Sequence, residues 1–312
     1  MLHMIYSGQE KETDAPVVIT TWQSAITMGP KWFERFGAVF GDEAHGCKAT
    51  SLIQILSSLV DCKYRFGTTG TLDGTAINEH TIEGLFGPKY QAVTTKELMD
   101  QGYVSNLKIK CIVLKYPEEV CKEFHKQVYD ARKKKNRKKT YQEEVDFLVN
   151  NEKRNKFLKN LTLSLKGNKL LFFRMIDHGK LLHTSLGAGT SDNIFYIDGS
   201  VSGDDREAIR HHIEDEENAI LIASLGTTST GVSINKLHHM IAASPSKSKI
   251  KVLQSIGRML RMHKDKNQAV LYDIVDNLTY KSSQNFTLGH FLERCKIYDA
   301  EKFDYEIYNV RI

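Results

Sequence analysis

Two adjacent carboxylates and a histidine, Asp42, Glu43 and His45, follow directly on the apolar run Ala38-Val39-Phe40-Gly41. That set of groups suits hydrolysis of a phosphoanhydride. One carboxylate holds Mg²⁺, usually through water, while its neighbour orients or deprotonates the attacking water. A short apolar run of this kind reads as a buried parallel strand, and open α/β sheets place their ligands at the carboxyl ends of strands. Taken by itself, Asp42-Glu43-Ala44-His45 reads equally well as an ordinary acidic loop. The remainder of the chain has to decide between the two.

Four further stretches carry groups of the right kind. Residues 250–263 have helical periodicity, with Val252, Ile256, Met259 and Leu260 available to a core. The spacing predicts Arg258 and Arg261 on one helical face, where an arginine pair suits the oxygens of a transferring γ-phosphoryl group. Gly257, directly before Arg258, would let a backbone or a phosphate approach closely. Ser224 to Ser233 is rich in glycine and hydroxyls and follows the apolar strand 219–223; its N–H and hydroxyl groups could meet phosphates, or it is a plain loop. Thr20-Thr21 and Thr69-Gly70-Thr71 end two short β-branched or aromatic runs on the same edge as Asp42, and serve equally well as helix caps.

These groups need strands that end side by side. The order over 17–71 is strand, helix broken near Gly29-Pro30, strand, acidic loop, helix 50–60, strand, hydroxyl loop. Residues 106–118 alternate like a strand that Pro117 ends. From 168 a fuller series follows, with strands at 169–173, 194–197, 219–223, 240–243 and 269–273 and helices between them; the tail 288–312 is expected to be helical. Alternation of this sort predicts an α/β fold with parallel sheets.

Composition sets the bounds. A chain of 312 residues, 41% hydrophobic and 26% charged, has room for about two domains. No apolar run reaches the roughly 20 residues of a membrane span, and the N-terminus has no signal-peptide pattern. Five scattered cysteines without a C-x-x-C pair argue against a zinc site or a disulfide framework and fit a reducing cytoplasm. The net charge of +5 allows a nucleic-acid partner. Seven of the eight residues Arg132-Lys133-Lys134-Lys135-Asn136-Arg137-Lys138-Lys139 are basic. That run is either a solvated loop or an arm that contacts phosphates.

Together these motifs resemble the superfamily 2 helicases of the D-E-x-H type. Asp42 to His45 is similar to motif II, Thr69-Gly70-Thr71 to motif III, Thr20 to Ser24 to motif Ib, Ser224 to Ser233 to motif V and Gln254 to Arg261 to motif VI; Lys169 to Phe173 stands where motif IV is expected. Residues 14–24, 93–109, 139–144, 229–239 and 248–263 resemble the phage recombination and repair helicases of that superfamily. The resemblance implies two RecA-like domains: 1–105, N-terminally incomplete; a charged linker, 106–165; and 166–312. It also implies ATP and Mg²⁺ as cofactors and a host-cytoplasmic enzyme without a membrane partner. The partner would be branched, single-stranded or duplex DNA, or an RNA–DNA hybrid, remodelled by junction migration, fork regression and R-loop or D-loop unwinding.

Carried over residue by residue, Asp42 would hold Mg²⁺, Glu43 would activate water, and Arg258 and Arg261 would engage the γ-phosphate, with Arg261 as the finger. His45, Gln254, Gly231 and Ser233 would serve the nucleotide. Thr20, Thr21, Thr69, Thr71 and Thr230 would serve the DNA strand. No G-x-x-x-x-G-K-[ST] occurs in the 312 residues, so the chain reads as a C-terminal portion of such an enzyme, with a separately encoded N-terminal half as one possible partner. The other readings are a non-catalytic DNA-binding or assembly module and a restriction-enzyme translocase subunit.

Overall fold

A computed structural model describes residues 2–6, 10–72, 74–133, 137–228, 234–244 and 248–312. The chain forms two compact units, Met1–Ala92 and Val93–Ile312. The first contains β1 (Leu2–Ile5), β2 (Val17–Thr20), α1 (Trp22–Ala25), α2 (Pro30–Phe33), β3 (Ala38–Gly41), α3 (Thr50–Ser57), β4 (Tyr64–Gly67) and α4 (Ala76–Phe86). Its strands form two separate parallel pairs, β1–β2 and β3–β4, rather than one continuous sheet. Phe33, Cys47, Ile55, Leu56 and Leu59 make its small core. Ile5 is also buried and Val39 packs on that core, but seven large strand side chains stay in solvent: Leu2, Met4, Val17, Ile19, Phe40, Tyr64 and Phe66 are all exposed.

The second unit begins with α5 (Thr95–Asp100), whose Thr94 and Glu97 close a reciprocal capping box. There follow β5 (Asn106–Lys115), α6 (Glu118–Lys133), α7 (Arg137–Asn150), α8 (Glu152–Ser164), β6 (Lys169–Phe173), α9 (Ile176–Gly187), β7 (Ile194–Ile197), α10 (Gly203–Asp215), β8 (Ile220–Ser224), α11 (Leu225–Thr228), β9 (His239–Ala242), α12 (Lys249–Met259), β10 (Gln268–Asn277), α13 (Phe286–Ala300) and β11 (Tyr305–Arg311). Seven of these strands form one sheet in the order β11-β5-β10-β9-β6-β8-β7, and every pairing is parallel. Successive residues of β6 enter opposite cores. Leu170 and Phe172 join Leu221, Ala223 and Met240 on one face, and Leu171 and Phe173 join Ile220, Ile222 and Ile241 on the other. Such strands read as continuous apolar runs because both faces are covered.

Two expectations from sequence change here. Residues 106–115 form the strand their alternation predicts, but it belongs to the second unit's sheet and not to a linker. β5 pairs with β10 from Asn106↔Gln268 to Lys115↔Asn277, and the boundary between units falls before it. The tail is helical only to Ala300. Lys302, at φ 55°, turns the chain, and Tyr305–Arg311 adds a parallel edge strand to β5. The aromatic and β-branched residues Tyr305, Ile307, Tyr308 and Val310 supply the strand propensity for it. Among the described residues, no helix is long and apolar enough to cross a membrane.

A buried histidine gives this unit a pH dependence. His178 on α9 is 3% exposed, and its Nε2 bonds the Asn155 side-chain oxygen at 3.0 Å. Burial first, and the charge of Arg154 second, lower its pKa to about 3. The unfolded chain takes up this proton near pH 6.5, while the folded chain does not until about pH 3, so stability falls with acidification between those limits. The slope is up to about 1.4 kcal/mol per pH unit, or about 2 kcal/mol between pH 6.5 and pH 5. Urea unfolding at pH 7 and pH 5 should show this loss in the wild type and a smaller one in His178→Gln. Equal losses in both would remove His178 as its source.

Candidate functional site

In the first unit, β3 and β4 run in register from Ala38↔Tyr64 to Gly41↔Gly67, so their carboxyl ends lie side by side. The ladder continues into the loops, with Thr68 N donating to Gly41 O at 2.9 Å and Ala44 N donating to Thr68 O at 2.8 Å. Phe86 of α4 packs under this junction. A Cβ on Gly41 or Gly67 would come within 2.8 or 2.9 Å of its ring. The two glycines therefore let the aromatic wedge in where the acidic loop and the hydroxyl loop depart.

Asp42 Oδ1 accepts from Glu43 N at 2.9 Å and from Thr68 Oγ1 at 3.3 Å, which fixes the carboxylate. Glu43 itself lies in the left-handed region, φ 49° and ψ 48°, at a cost of about 1 kcal/mol for a residue with a Cβ. Strain of this sort persists where the surroundings hold it, and is common at functional sites. The surroundings here are His45 and Thr69. His45 Nδ1 lies 3.2 Å from Glu43 Oε2 and 3.0 Å from Thr69 Oγ1. Thr69 Oγ1 donates to Thr71 O at 3.1 Å and accepts from Thr71 N at 3.3 Å. With the Thr69 proton so used and a carboxylate on the other side, the bonding pattern assigns the histidine proton to Nδ1. Asp42, Glu43, His45, Thr69 and Thr71 thus form one network. Thr68, part of the hydroxyl cluster but not among the candidate site residues, adds its hydroxyl to this network through Asp42. Asp42 and Glu43 are exposed, as a site open to ligand and water requires.

Thr20 and Thr21 stand at the end of β2, on the other strand pair. Their bonds are local, Thr20 Oγ1 to Thr21 O and Thr21 Oγ1 to Ser24 Oγ, each 3.1 Å.

In the second unit, β8 ends at Ser224. The Ser224 and Thr227 hydroxyls bond each other, and Thr227 N donates to Ser224 Oγ at 3.3 Å. Thr230, Gly231 and Ser233 lie outside the described residues. On α12, Gln254 and Arg258 are one turn apart, both half-buried, and Arg258 lines a small pocket with Ser255, Leu221, Ile234 and Leu237. Among the described residues, nothing beyond the helix's own backbone and chain neighbours lies within 4 Å of the position a Cβ would take on Gly257, and the residue is exposed.

The expected shared helical face of Arg258 and Arg261 is not formed. The helix stops at Met259, and Arg261 lies beyond it. Other groups take the carbonyls that would have continued it. Ser105 N donates to Leu260 O at 2.7 Å and Ser105 Oγ to Arg261 O at 3.3 Å. Lys266, 2% exposed, donates from Nζ to Met259 O at 2.8 Å and to Asn235 O at 2.7 Å. A buried cation at a helix C-terminus complements the dipole there, and burial pulls its pKa down to about 8. The arginine segment is thereby fixed along its backbone while the Arg261 side chain stays exposed. No local signal marks Lys266 in the polar run His263-Lys264-Asp265-Lys266-Asn267.

A model of the helicase conserved C-terminal domain matches residues 152–263. The ATP-dependent DNA helicase uvsW of Enterobacteria phage T4 is 34% identical over 329 residues, covering 100% of this chain and 63% of that helicase. The crystal structure of T4 UvsW matches with a TM-score of 0.55 at 30% identity, over 99% of this chain and 62% of that one. A fragment of a putative HsdR subunit of a type I restriction enzyme from Vibrio vulnificus YJ016 matches with a TM-score of 0.68. It is 14% identical, over 99% of this chain and 55% of that one, and shows likeness of fold alone. The chain spans less than two thirds of the length of each of these proteins.

Proposed function

The chain belongs to the superfamily 2 helicases, and from that premise we propose that it serves ATP-driven remodelling of branched DNA, by junction migration, fork regression and unwinding of R-loops and D-loops in the host cytoplasm. The observation that carries the nucleotide role is the network of Asp42, Glu43, His45 and Thr69 at the paired ends of β3 and β4. Its donor set fits Mg²⁺, which takes one or two carboxylates from a protein and the rest of its shell from phosphates and water. Asp42, with Oδ1 already held by Glu43 N and Thr68, would bind that ion. Mg·ATP, when bound, supplies the phosphoanhydride and the charge neutralisation at its oxygens.

Glu43 would hold the attacking water and take its proton, and its left-handed backbone would aim the carboxylate. His45 is held by Glu43 on one side and Thr69 on the other, so it would report occupancy of the acidic loop to the hydroxyl loop. Gln254 would share that coupling. Arg258 and Arg261 would stabilise charge developing on the γ-phosphoryl oxygens, and Gly231 and Ser233 would serve the nucleotide. Thr20, Thr21, Thr69, Thr71 and Thr230 would hold the DNA backbone, because a translocase must accept any sequence.

The phosphate-cradling loop would come from a segment outside these 312 residues, in the same chain or a separate one. The exposed apolar residues of β1 to β4 support this, since parallel strands are ordinarily covered on both faces. The 312-residue chain alone is therefore expected to turn over ATP negligibly, and DNA-stimulated turnover should arise on adding the remaining helicase segment. Glu43→Gln should then cut kcat by about a hundred-fold, the usual scale for a lost general base. Turnover that ignores DNA, or that survives Glu43→Gln, would refute this reading.

A further inference from the structure

The side chains of the basic run at 132–139 lie outside the described residues. Among the described residues, the buried lysines and arginines are Arg154, Lys169, Lys236, Lys266 and Arg294. Four of these cations have a carboxylate partner. Arg154 meets Asp276 at 2.8 Å, Lys169 meets Asp192 at 3.3 Å, Lys236 meets Glu217 at 2.7 Å and Arg294 meets Asp273 at 2.8 Å. Lys266 is different. Among the described residues its ammonium meets neutral carbonyls, Met259 O at 2.8 Å and Asn235 O at 2.7 Å, and no carboxylate.

A buried cation without a counter-ion is costly, and burial pulls the Lys266 pKa down to about 8. Ending a helix does not require that cost, since a glycine beyond the last turn or a surface lysine caps a C-terminus as well. What an ammonium adds is three donors on one atom, which can hold carbonyls of separate segments at once. The two carbonyls here come from two such segments. Asn235 stands two residues after the hydroxyl-rich stretch that starts with the bonded Ser224 and Thr227. Met259 ends the helix that carries Arg258, and Arg261 follows two residues later.

The lysine is held from behind. Its backbone closes the turn between α12 and β10, where Lys266 N donates to His263 O at 3.0 Å. His238, next to β9, accepts from Asn168 N at Nδ1, 3.0 Å away, and so donates from Nε2 to Asp265 O at 3.3 Å. The turn is thus fastened to the foot of the sheet. From that fixed base Nζ satisfies both carbonyls in one relative placement of the two segments. Displacing either segment alone leaves a buried charge short of an acceptor, and that penalty favours moving both together.

We infer that Lys266 is a positioning residue that couples the two segments, so that nucleic acid held at the hydroxyl stretch sets the placement of Arg258 and Arg261 and thereby stimulates ATP turnover. The roles of the two segments rest on the helicase reading, and the bridge between them does not. Coupling of this kind is a free energy between sites, carried here by one side chain with two acceptors.

The test uses the chain together with its remaining helicase segment, with a forked DNA duplex as the probe. Lys266→Met removes the donors, and should lower DNA-stimulated turnover at least about five-fold more than DNA-free turnover, the lower end of a coupling between sites. Lys266→Gln, with a shorter neutral donor, should lose less of the stimulation. Ser105→Ala, which releases the arginine segment alone, should lower both turnovers in the same proportion. An unchanged stimulation in Lys266→Met overturns the coupling, as does an equal loss of stimulation in Ser105→Ala. A parallel fall of both turnovers in Lys266→Met also overturns it, because a merely structural lysine gives that result. If neither Lys266 variant folds, hydrogen exchange of the wild type decides. Forked DNA should then alter protection around Asn235 and also at 256–266, and a change confined to the first overturns the coupling. Wild-type turnover that ignores DNA overturns both the coupling and the helicase reading.

Discussion

Arg261→Ala, introduced where the chain has its phosphate loop and turns over ATP, is expected to lower kcat by about a thousand-fold or more while nucleotide affinity changes only a few-fold. An arginine that meets the γ-phosphoryl group in the transition state is worth about 10³–10⁵ in rate, and its loss spares ground-state binding. The surroundings of Arg261 suit such a role. The Met259, Leu260 and Arg261 carbonyls are held by Lys266 and Ser105, so the backbone is set, and the guanidinium is left in solvent. Arg258 differs, being half-buried on the helix against apolar neighbours, so Arg258→Ala should also lower the melting temperature. Arg261→Ala should not. Arg261→Lys should recover little rate, because an ammonium cannot present the planar fork. Rapid-quench turnover together with nucleotide binding separates these outcomes, and unchanged kcat in Arg261→Ala would take the finger role from this residue.

How much of this was legible before the fold was known depends on whether the signal was local. Asp42, Glu43, His45 and Thr69 are close in the structure because two short strands end in register, and both strand ends could be read from sequence. Thr68 acts through a hydrogen bond to Asp42 and Phe86 through packing under the β3–β4 junction, and both roles depend on a partner distant in sequence. The apolar strands β6 and β8 were plain because both faces are buried. The arginine segment was misread in shape. Periodicity from 250 to 263 suggested one helix, but its end is set by Ser105 and Lys266, which are distant in sequence or embedded in a polar run. The tail strand β11 exists because β5 has a free edge to give it, a tertiary condition that overrides a helical expectation. Both misreadings concern where an element stops, which competing hydrogen-bond partners decide.

The same dependence on partners governs the second large effect, expected at β10. This strand carries two carboxylates in an otherwise apolar run, and its alternation sends them to opposite faces of the sheet. Asp273 faces the core containing Leu271 and Val275, and Asp276 the core containing Tyr272 and Ile274. Each is met by a different arginine. Arg294 of α13 grips Asp273 with Nε and Nη2, both at 2.8 Å, and Tyr298 donates to the same carboxylate at 2.9 Å. Arg154 of α8 bonds Asp276 at 2.8 Å and Ala243 O at 2.7 Å, with Tyr116 as the second donor to Asp276. The pairs therefore specify which helix covers which face.

Arg294→Met leaves a carboxylate buried without its charge partner and should cost about 3–5 kcal/mol. Asp273→Asn strands the guanidinium and should also be costly. The double variant removes both charges, keeps an acceptor for Tyr298, and should lose less than the sum of the singles by at least about 2 kcal/mol. Additive losses in urea unfolding would show that the two groups matter only through packing. The consequence reaches the functional segment, because Ser255 and Ile256 of α12 line the same small pocket as Asp273, Arg294 and Tyr298. Loss of Arg294 would let α12 settle differently over the sheet. ATP turnover in the double variant should then track its recovered stability more closely than that of either single, since the ion pair acts on Arg258 and Arg261 only through the helix it supports.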